Sequence, residues 1–386
     1  MFKIQTLNNI SRNGLDRLPA DRYQVGNDLA EPDAVLLRSA DMHKLTIPES
    51  VKAIGRAGAG TNNIPVETLS ARGVVVFNAP GANANAVKEL VIAGMLMSSR
   101  NLGEALGFSA GLSDVADPHH AMEAEKKRFV GTELAGKTLG VVGLGAIGVR
   151  VANAARALGM QVYGFDPHMT VDGAWQLSAD VVKAGSLNEL FAAADFISFH
   201  VPLNDATRGI FGDAALTVAK RGVALLNFAR DGIIDAETLR KGLGDGTIGR
   251  YITDFPNVDL IGHPRVINLP HLGASTLEAE ENCAVMVVDQ VRDFLENGNV
   301  ANSVNFPATR MAREGAVRLC IANQNRPGMI GQLSLVLGEA GLNIAQMHNA
   351  SRGVIAYTLV DIDAPADAAA LARITALEGI LSLRVV

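Results

Sequence analysis

A chain of 386 residues exceeds what one ordinary core organises, and an apolar share of 48% supplies enough material for two or three domains. A formal charge of −6, with Lys126-Lys127-Arg128 as the only basic run, excludes a nucleic-acid binder held by phosphate contacts. The cysteines Cys283 and Cys320 lack metal-ligand spacing, and there is no basic leader and no apolar run of about 18 residues, so a soluble, cytoplasmic protein is predicted.

Four strand-like runs come first: Lys3–Leu7, Ala34–Leu37, Val51–Ile54 and Val74–Phe77. The helix-compatible intervals between them predict a small parallel sheet of βα units. Ligands of open α/β sheets gather at the carboxyl ends of strands. Those ends carry Asn8, Arg38-Ser39, the turn Arg56-Ala57-Gly58-Ala59-Gly60 and Asn78. Two arginines and a glycine-rich turn on one edge suit an anionic substrate. The run 85–97 is apolar on nearly every face and predicts a buried helix between domains. From Leu112 to Arg128 the chain turns polar; adjacent His119 and His120 lack the i,i+4 spacing that lets two imidazoles share a metal, so no metal site is assigned.

The apolar run from Thr138 breaks at Gly143, Gly145 and Gly148 and continues into a helix ending near Leu158. Glycines at this spacing permit a tight strand-to-helix turn, close approach of backbone to a pyrophosphate, and packing of helix on strand, with free N–H groups at the helix start. The next strand, Gln161–Phe165, ends in Asp166. A carboxylate there accepts both ribose hydroxyls and repels a 2′-phosphate, which predicts NAD rather than NADP. Strands continue near 184–186 and at Phe196–His200, Val223–Asn227, Arg250–Asp254 and Val266–Leu269, a doubly wound sheet whose ends hold His200, Arg230, Asp254 and His271. A long helix, Thr276–Leu295, returns the chain to the first sheet, and 302–311 with Pro307 reads as a linker. The tail, Glu314–Val386, reads as an independent βαββαβ domain: a four-stranded ferredoxin-like sheet with its helices on one face.

The motifs Arg38-Ser39-Ala40, Gly55 to Gly60 with Asn63-Ile64, Gly131 to Lys137, Gly143 to Gly148, His200 to Leu203, Asn227 to Arg230 and Pro270 to Thr276 together resemble the D-2-hydroxyacid dehydrogenase family. The tail resembles an ACT domain. The resemblance implies NAD-dependent oxidation of a D-2-hydroxy acid, closest to members that act on 3-phosphoglycerate, by a homo-oligomer, dimer or tetramer. Reductases of hydroxypyruvate or glyoxylate would share every catalytic residue, and a dinucleotide-sensing corepressor would share the fold. The implied domains are a discontinuous substrate domain, 1–97 with 279–308, an NAD domain, 98–278, and a regulatory domain, 314–386.

Carried over residue by residue, the resemblance makes Arg230 and His271 catalytic, with Asp259, five residues beyond Asp254, pairing with the histidine. Cofactor contacts fall on Gly143, Gly145, Ala146, Ile147, Gly148 and Asp166, and then on Phe228, Ala229, Arg230, Asp254, His271, Gly273 and Ala274. Substrate contacts fall on Arg38, Ser39, Arg56, Gly58, Ala59 and Gly60. In the tail, Asn323, Asn325 and Asn343 match positions that bind serine in ACT-bearing relatives, which implies L-serine as an effector at a dimer interface. The chemistry agrees: an imidazole near neutral pKa takes a hydroxyl proton, and a guanidinium holds a carboxylate and steadies developing charge.

Overall fold

Apolar runs alternating with glycine-marked turns resolve into three sheets in the computed structural model, which describes residues 1–386. They divide between two units, Met1–Asn83 with Leu277–Val386, and Ala84–Thr276. In the first, β1 (Phe2–Thr6), β2 (Tyr23–Gly26), β3 (Ala34–Leu37), β4 (Ala53–Arg56) and β5 (Val75–Phe77) form a parallel sheet ordered β2-β1-β3-β4-β5. That is the flavodoxin-like order. The short α1 (Arg12–Leu15) and α2 (Val66–Ala71) lie among its connections. β2 was not anticipated from sequence, because an edge strand with Gln24 and Val25 exposed carries no apolar run.

The second unit begins with α3 (Ala84–Ser99), α4 (Leu102–Ala110) and α5 (Pro118–Glu125). It continues with β6 (Thr138–Val142), α6 (Ala146–Ala157), β7 (Gln161–Phe165), α7 (Val171–Gln176), β8 (Val182–Lys183) and α8 (Leu187–Ala193). β9 (Phe196–Phe199), α9 (Asp213–Val218), β10 (Val223–Asn227), α10 (Ala236–Asp245), β11 (Ile248–Thr253) and β12 (Val266–Asn268) complete it. The parallel sheet is ordered β12-β11-β10-β9-β6-β7-β8, so the order reverses between β6 and β9. Such a switch point opens the crevice in which dinucleotides bind.

Two expectations about α3 change. The boundary between units falls at its start and not after Met97. The helix is also not buried all round: Val87, Val91 and Met95 join the core of the second unit, while Leu96 stays 39% exposed. Gly94 allows the close packing, since a Cβ there would meet Ile252 at 3.1 Å and Phe228 at 3.3 Å.

The chain returns through α11 (Leu277–Asn297), which covers β4 and β5 with Val287, Val291 and Phe294. The tail then forms β13 (Val317–Gln324), α12 (Met329–Glu339), β14 (Ile344–Arg352), β15 (Ile355–Ile362), α13 (Ala368–Thr375) and β16 (Ile380–Val385), an antiparallel sheet ordered β14-β15-β13-β16. Its helices cover one face through Leu333, Leu337 and Ile374. The expectation of an independent domain does not hold. The opposite face carries Cys320, Ala322, Tyr357 and Leu359, which lie in one core with Phe77, Phe294 and Phe306 of the first-sheet layer. The Tyr357 hydroxyl donates to the Gly298 carbonyl at 2.9 Å. Beside it, fully buried Arg318 and Asp361 form a two-point ion pair at 2.6 and 2.8 Å, and Arg318 also donates to the Met311 carbonyl. The linker is stitched down as well: Asn305 accepts from the Val76 N–H and donates to the Val74 carbonyl.

Candidate active site

At the switch point each glycine of the fingerprint has a separate physical reason. Gly143 has φ +90°, a left-handed conformation, and a Cβ there would stand 2.7 Å from the His200 carbonyl at the end of β9. A Cβ on Gly148 would stand 1.9 Å from the Gly143 carbonyl oxygen, so any side chain would push α6 off β6. A Cβ on Gly145 would meet nothing within 4 Å, which leaves open space in front of the first turn of α6, where Ala146 and Ile147 begin the helix. These three positions fit a pyrophosphate on the helix N-terminus. Asp166, at the end of β7, accepts from Leu144 N–H and His168 N–H, both at 2.8 Å, and so shapes the turn that precedes the helix. Each carboxylate oxygen keeps a second lone pair for a ribose hydroxyl.

Farther along the carboxyl edge, Asp254 closes β11 and is 1% exposed. Its Oδ2 accepts from Gly273 N–H at 2.8 Å, and its Oδ1 is buried without a partner. Burial raises its pKa, an effect that the nearby His271 opposes. An orphan acceptor in this place suits an amide N–H, such as the carboxamide of a nicotinamide. His271 is exposed beyond β12, its ring 4.7 Å from that of Phe255. Arg230 follows β10 in a turn pinned by buried Asn227, which donates to the Arg230 carbonyl at 2.9 Å and accepts from Ala229 N–H at 3.2 Å. The Arg230 guanidinium touches only the Ala229 carbonyl, and Phe228 fills the core beneath.

The expected pairing of Asp259 with His271 is not formed. Asp259 lies in a turn anchored by buried Leu260, which points it outward at 72% side-chain exposure, and its ion-pair partner is Arg240 at 3.7 Å. Asp254 is the carboxylate whose titration the histidine influences. Ala274, like Gly273, continues the turn after His271. His200 sits across the switch point, its Nε2 2.8 Å from the Ser198 hydroxyl, a contact the motif reading left out.

In the first unit, Arg38 and Arg56 end adjacent strands. Both act electrostatically on buried Cys283 of α11, so they share one neighbourhood. Asn8 Oδ1 accepts from the N–H groups of Arg38, Ser39 and Ala40 at 2.8–3.2 Å and holds the turn after β3. The turn of Gly58, Ala59 and Gly60 is held by Asn78, which donates to the Ala59 carbonyl at 2.6 Å. Gly58 lies so close to Arg56 that a Cβ would meet its Nη1 at 2.5 Å. One participant escaped the sequence reading: Glu280 in the first turn of α11 pairs with Arg38 at 2.7 Å. Its only sequence signal is a run of glutamates at a helix start, which also reads as dipole compensation.

Residues 102–273 match the NAD binding domain of the D-isomer specific 2-hydroxyacid dehydrogenases. The D-3-phosphoglycerate dehydrogenase of Haemophilus influenzae is 33% identical over 345 residues, 86% of this chain and 80% of that one. The chain belongs to the D-2-hydroxyacid dehydrogenase family. The Bacillus subtilis D-3-phosphoglycerate dehydrogenase is 35% identical over 329 residues, 80% of this chain, and the chain spans only 60% of that relative's length. Among solved structures, the NAD+-bound 3-phosphoglycerate dehydrogenase of Entamoeba histolytica superposes with a TM-score of 0.60 at 27% identity, covering 79% of this chain and 98% of that one. NAD is the cofactor of this dehydrogenase domain.

The tail's three asparagines do not converge within one chain. Asn323 is buried and accepts from the Thr358 hydroxyl at 3.1 Å. Asn325 donates to the Gly353 carbonyl at 3.0 Å in the next hairpin. Asn343 precedes β14 and contacts Asp363. Strand register gives the reason: Ile344 pairs with Ile362 and hence lies level with Val317, whereas Asn323 pairs with Ala356. Asn343 and Asn323 therefore stand at opposite ends of the sheet, roughly 20 Å apart at ~3.4 Å per residue.

Proposed function

We propose that the chain oxidises 3-phosphoglycerate to 3-phosphohydroxypyruvate with NAD, the first step of serine biosynthesis. The observation that carries this reading is the pair Arg38 and Arg56 at neighbouring strand ends, which suits a substrate with more negative charge than a single carboxylate. In this reading Arg230, free of any carboxylate partner, holds the substrate carboxylate and steadies charge on the reacting oxygen. His271 takes the hydroxyl proton and returns it in the reverse direction. Asp254 turns its unpartnered oxygen to the carboxamide. Bound NAD supplies the hydride chemistry.

Reduced-nicotinamide absorbance tests the proposal, with 3-phosphoglycerate and NAD run beside hydroxypyruvate or glyoxylate and NADH. A kcat/KM favouring the phosphorylated substrate pair by at least about tenfold is expected, the scale of one charge-assisted contact. Equal or better use of glyoxylate overturns it in favour of a 2-oxoacid reductase. That second reading has one observation on its side: Glu280 already neutralises Arg38, which lowers the positive charge of the crevice.

L-Serine is the effector in this reading, at a site shared by two copies. β14 is an open edge strand, and antiparallel pairing of two such edges would carry Asn343 of one copy toward Asn323 and Asn325 of the other. A second contact between copies would cover α4 and α5, which bury no residue of their own and expose Leu106 at 68%. A homo-oligomer, dimer or tetramer, follows from either contact, and the buried free thiols of Cys283 and Cys320 suit the cytoplasm. Light scattering of the full chain reads the oligomer. Serine should inhibit and Asn343→Ala should relieve inhibition; calorimetry without heat from millimolar serine removes the regulatory reading.

A further inference from the structure

Two arginines of the first unit that lack a carboxylate partner line one cleft. The cleft, about 250 Å³, opens at the amino ends of β4 and β5, away from Arg38 and Arg56, and edge strand β16 forms its far wall. Arg72 and Lys52 lie on the first-sheet side, Arg384 and Ser382 on the tail, Phe294 at the floor and Ser50 at the rim. Arg72 donates to the carbonyls of Ile47 and Pro48 at 3.1 and 2.7 Å. Arg384 donates to the Phe294 carbonyl at 2.9 Å and lies 3.9 Å over the Phe294 ring. These acceptors orient the two groups and cancel neither charge. Asp33 neutralises Lys52 at 2.5 Å, and the one carboxylate at the cleft, Glu49, is exposed.

A guanidinium carries five N–H donors; two carbonyl contacts leave up to three on Arg72, and the Phe294 carbonyl and the Tyr357 hydroxyl leave up to three on Arg384. Two uncompensated cations beside an aromatic floor meet an anion more strongly than they would in open water. The volume falls below the 300–1,000 Å³ or so of ordinary drug-sized pockets, which limits the occupant to a small metabolite. We propose that this cleft binds a small oxyanion of the phosphate type, free phosphate or a phosphate monoester. The bound anion joins Arg72 of the first-sheet layer to Arg384 of the tail and so ties β16 to β4 and β5.

Calorimetry and thermal melting of the full chain without nicotinamide test this, with inorganic phosphate and glycerol phosphate as separate probes and succinate as the dicarboxylate control. Heat with at least one phosphate probe is expected, together with a melting midpoint that climbs with its concentration. If glycerol phosphate binds the tighter of the two, the monoester is the occupant; if inorganic phosphate does, the free ion is. Arg72→Gln should weaken binding about tenfold or more, and Arg72→Lys should restore most of it. Ser50→Asp, which keeps both arginines and adds a negative charge at the rim, should weaken it likewise. Binding must survive in Arg38→Gln, which separates this cleft from the substrate crevice. Phosphate binding lost in Arg38→Gln and intact in Arg72→Gln overturns the proposal, as does absence of heat with both phosphate probes or tighter binding of succinate. Because no turnover is read, failure of the proposed substrate leaves this test unaffected.

Discussion

A neutral histidine beside the cofactor cradle has a measurable cost in acid. Loss of hydration pushes the His200 imidazole down to about 3, against roughly 6.5 in an unfolded chain. Below pH ~6.5 the unfolded chain takes up a proton that the folded one refuses, so stability is lost as pH falls from there toward the folded value. His200→Gln should flatten the pH dependence of unfolding free energy between pH 6 and 4 by up to about 1.4 kcal/mol per pH unit, as read by urea melts. An unchanged slope would mean that the ring is hydrated in the native state. Asp254 carries the opposite sign: burial raises its folded pKa, so its charge destabilises the native chain as pH rises through that value. At neutral pH, Asp254→Asn should therefore raise the melting midpoint of the cofactor-free protein while lowering turnover. A variant with both stability and turnover reduced would make Asp254 a structural carboxylate only.

At the scale of elements, the turn from β6 to α6 is the most tightly specified. Gly148→Ala places a Cβ 1.9 Å from the Gly143 carbonyl oxygen, so α6 must shift and its N–H groups lose their aim. NAD affinity measured by fluorescence quenching should fall by at least about tenfold, the scale of one charge-assisted hydrogen bond, whereas Gly145→Ala, with open space around it, should fold normally and clash only with the bound pyrophosphate. This turn was legible in the chain because its glycines are contiguous and their spacing states the geometry. The placement of Arg230, Asp254 and His271 along the carboxyl edge was legible because each stands just past an apolar strand. β2, by contrast, carries too few apolar side chains to be seen, the strand expected near 184–186 is the two-residue β8 just before it, and Asp259 was chosen by position when the burial of its neighbour Leu260 decides its direction. The pair of Arg38 and Glu280 joins residues far apart in the chain, so only the completed fold reveals it.

On the scale of the whole molecule, the decisive feature is the tail's second buried face. Asp361 makes its pair with Arg318 at zero exposure; burial alone would raise its pKa, but the hydrogen bonds from Arg318 and from Glu314 N–H outweigh it and hold the carboxyl below its ordinary range. A group so depressed stabilises the fold above its unfolded pKa and loses that contribution as pH falls through the folded value. Asp361→Asn leaves the Arg318 charge without its counterion and should destabilise by about 3–5 kcal/mol in denaturant melts, the usual cost of breaking a buried pair. Truncation after Pro307 should likewise reduce solubility and basal activity, because it uncovers Phe294 and Phe306, rather than yield a clean unregulated enzyme. Retained solubility and full activity in the truncated chain would mean that the first-sheet layer closes its own core. Tyr357, Cys320 and Leu359 thus complete a core that the first sheet and α11 begin, and this bears on how such chains can be recombined. A tail that lends half of its sheet to its neighbour cannot be exchanged as a cassette: a chimera that swaps it at the linker must also carry over the outward face of α11, or it will join two surfaces that were never fitted to each other.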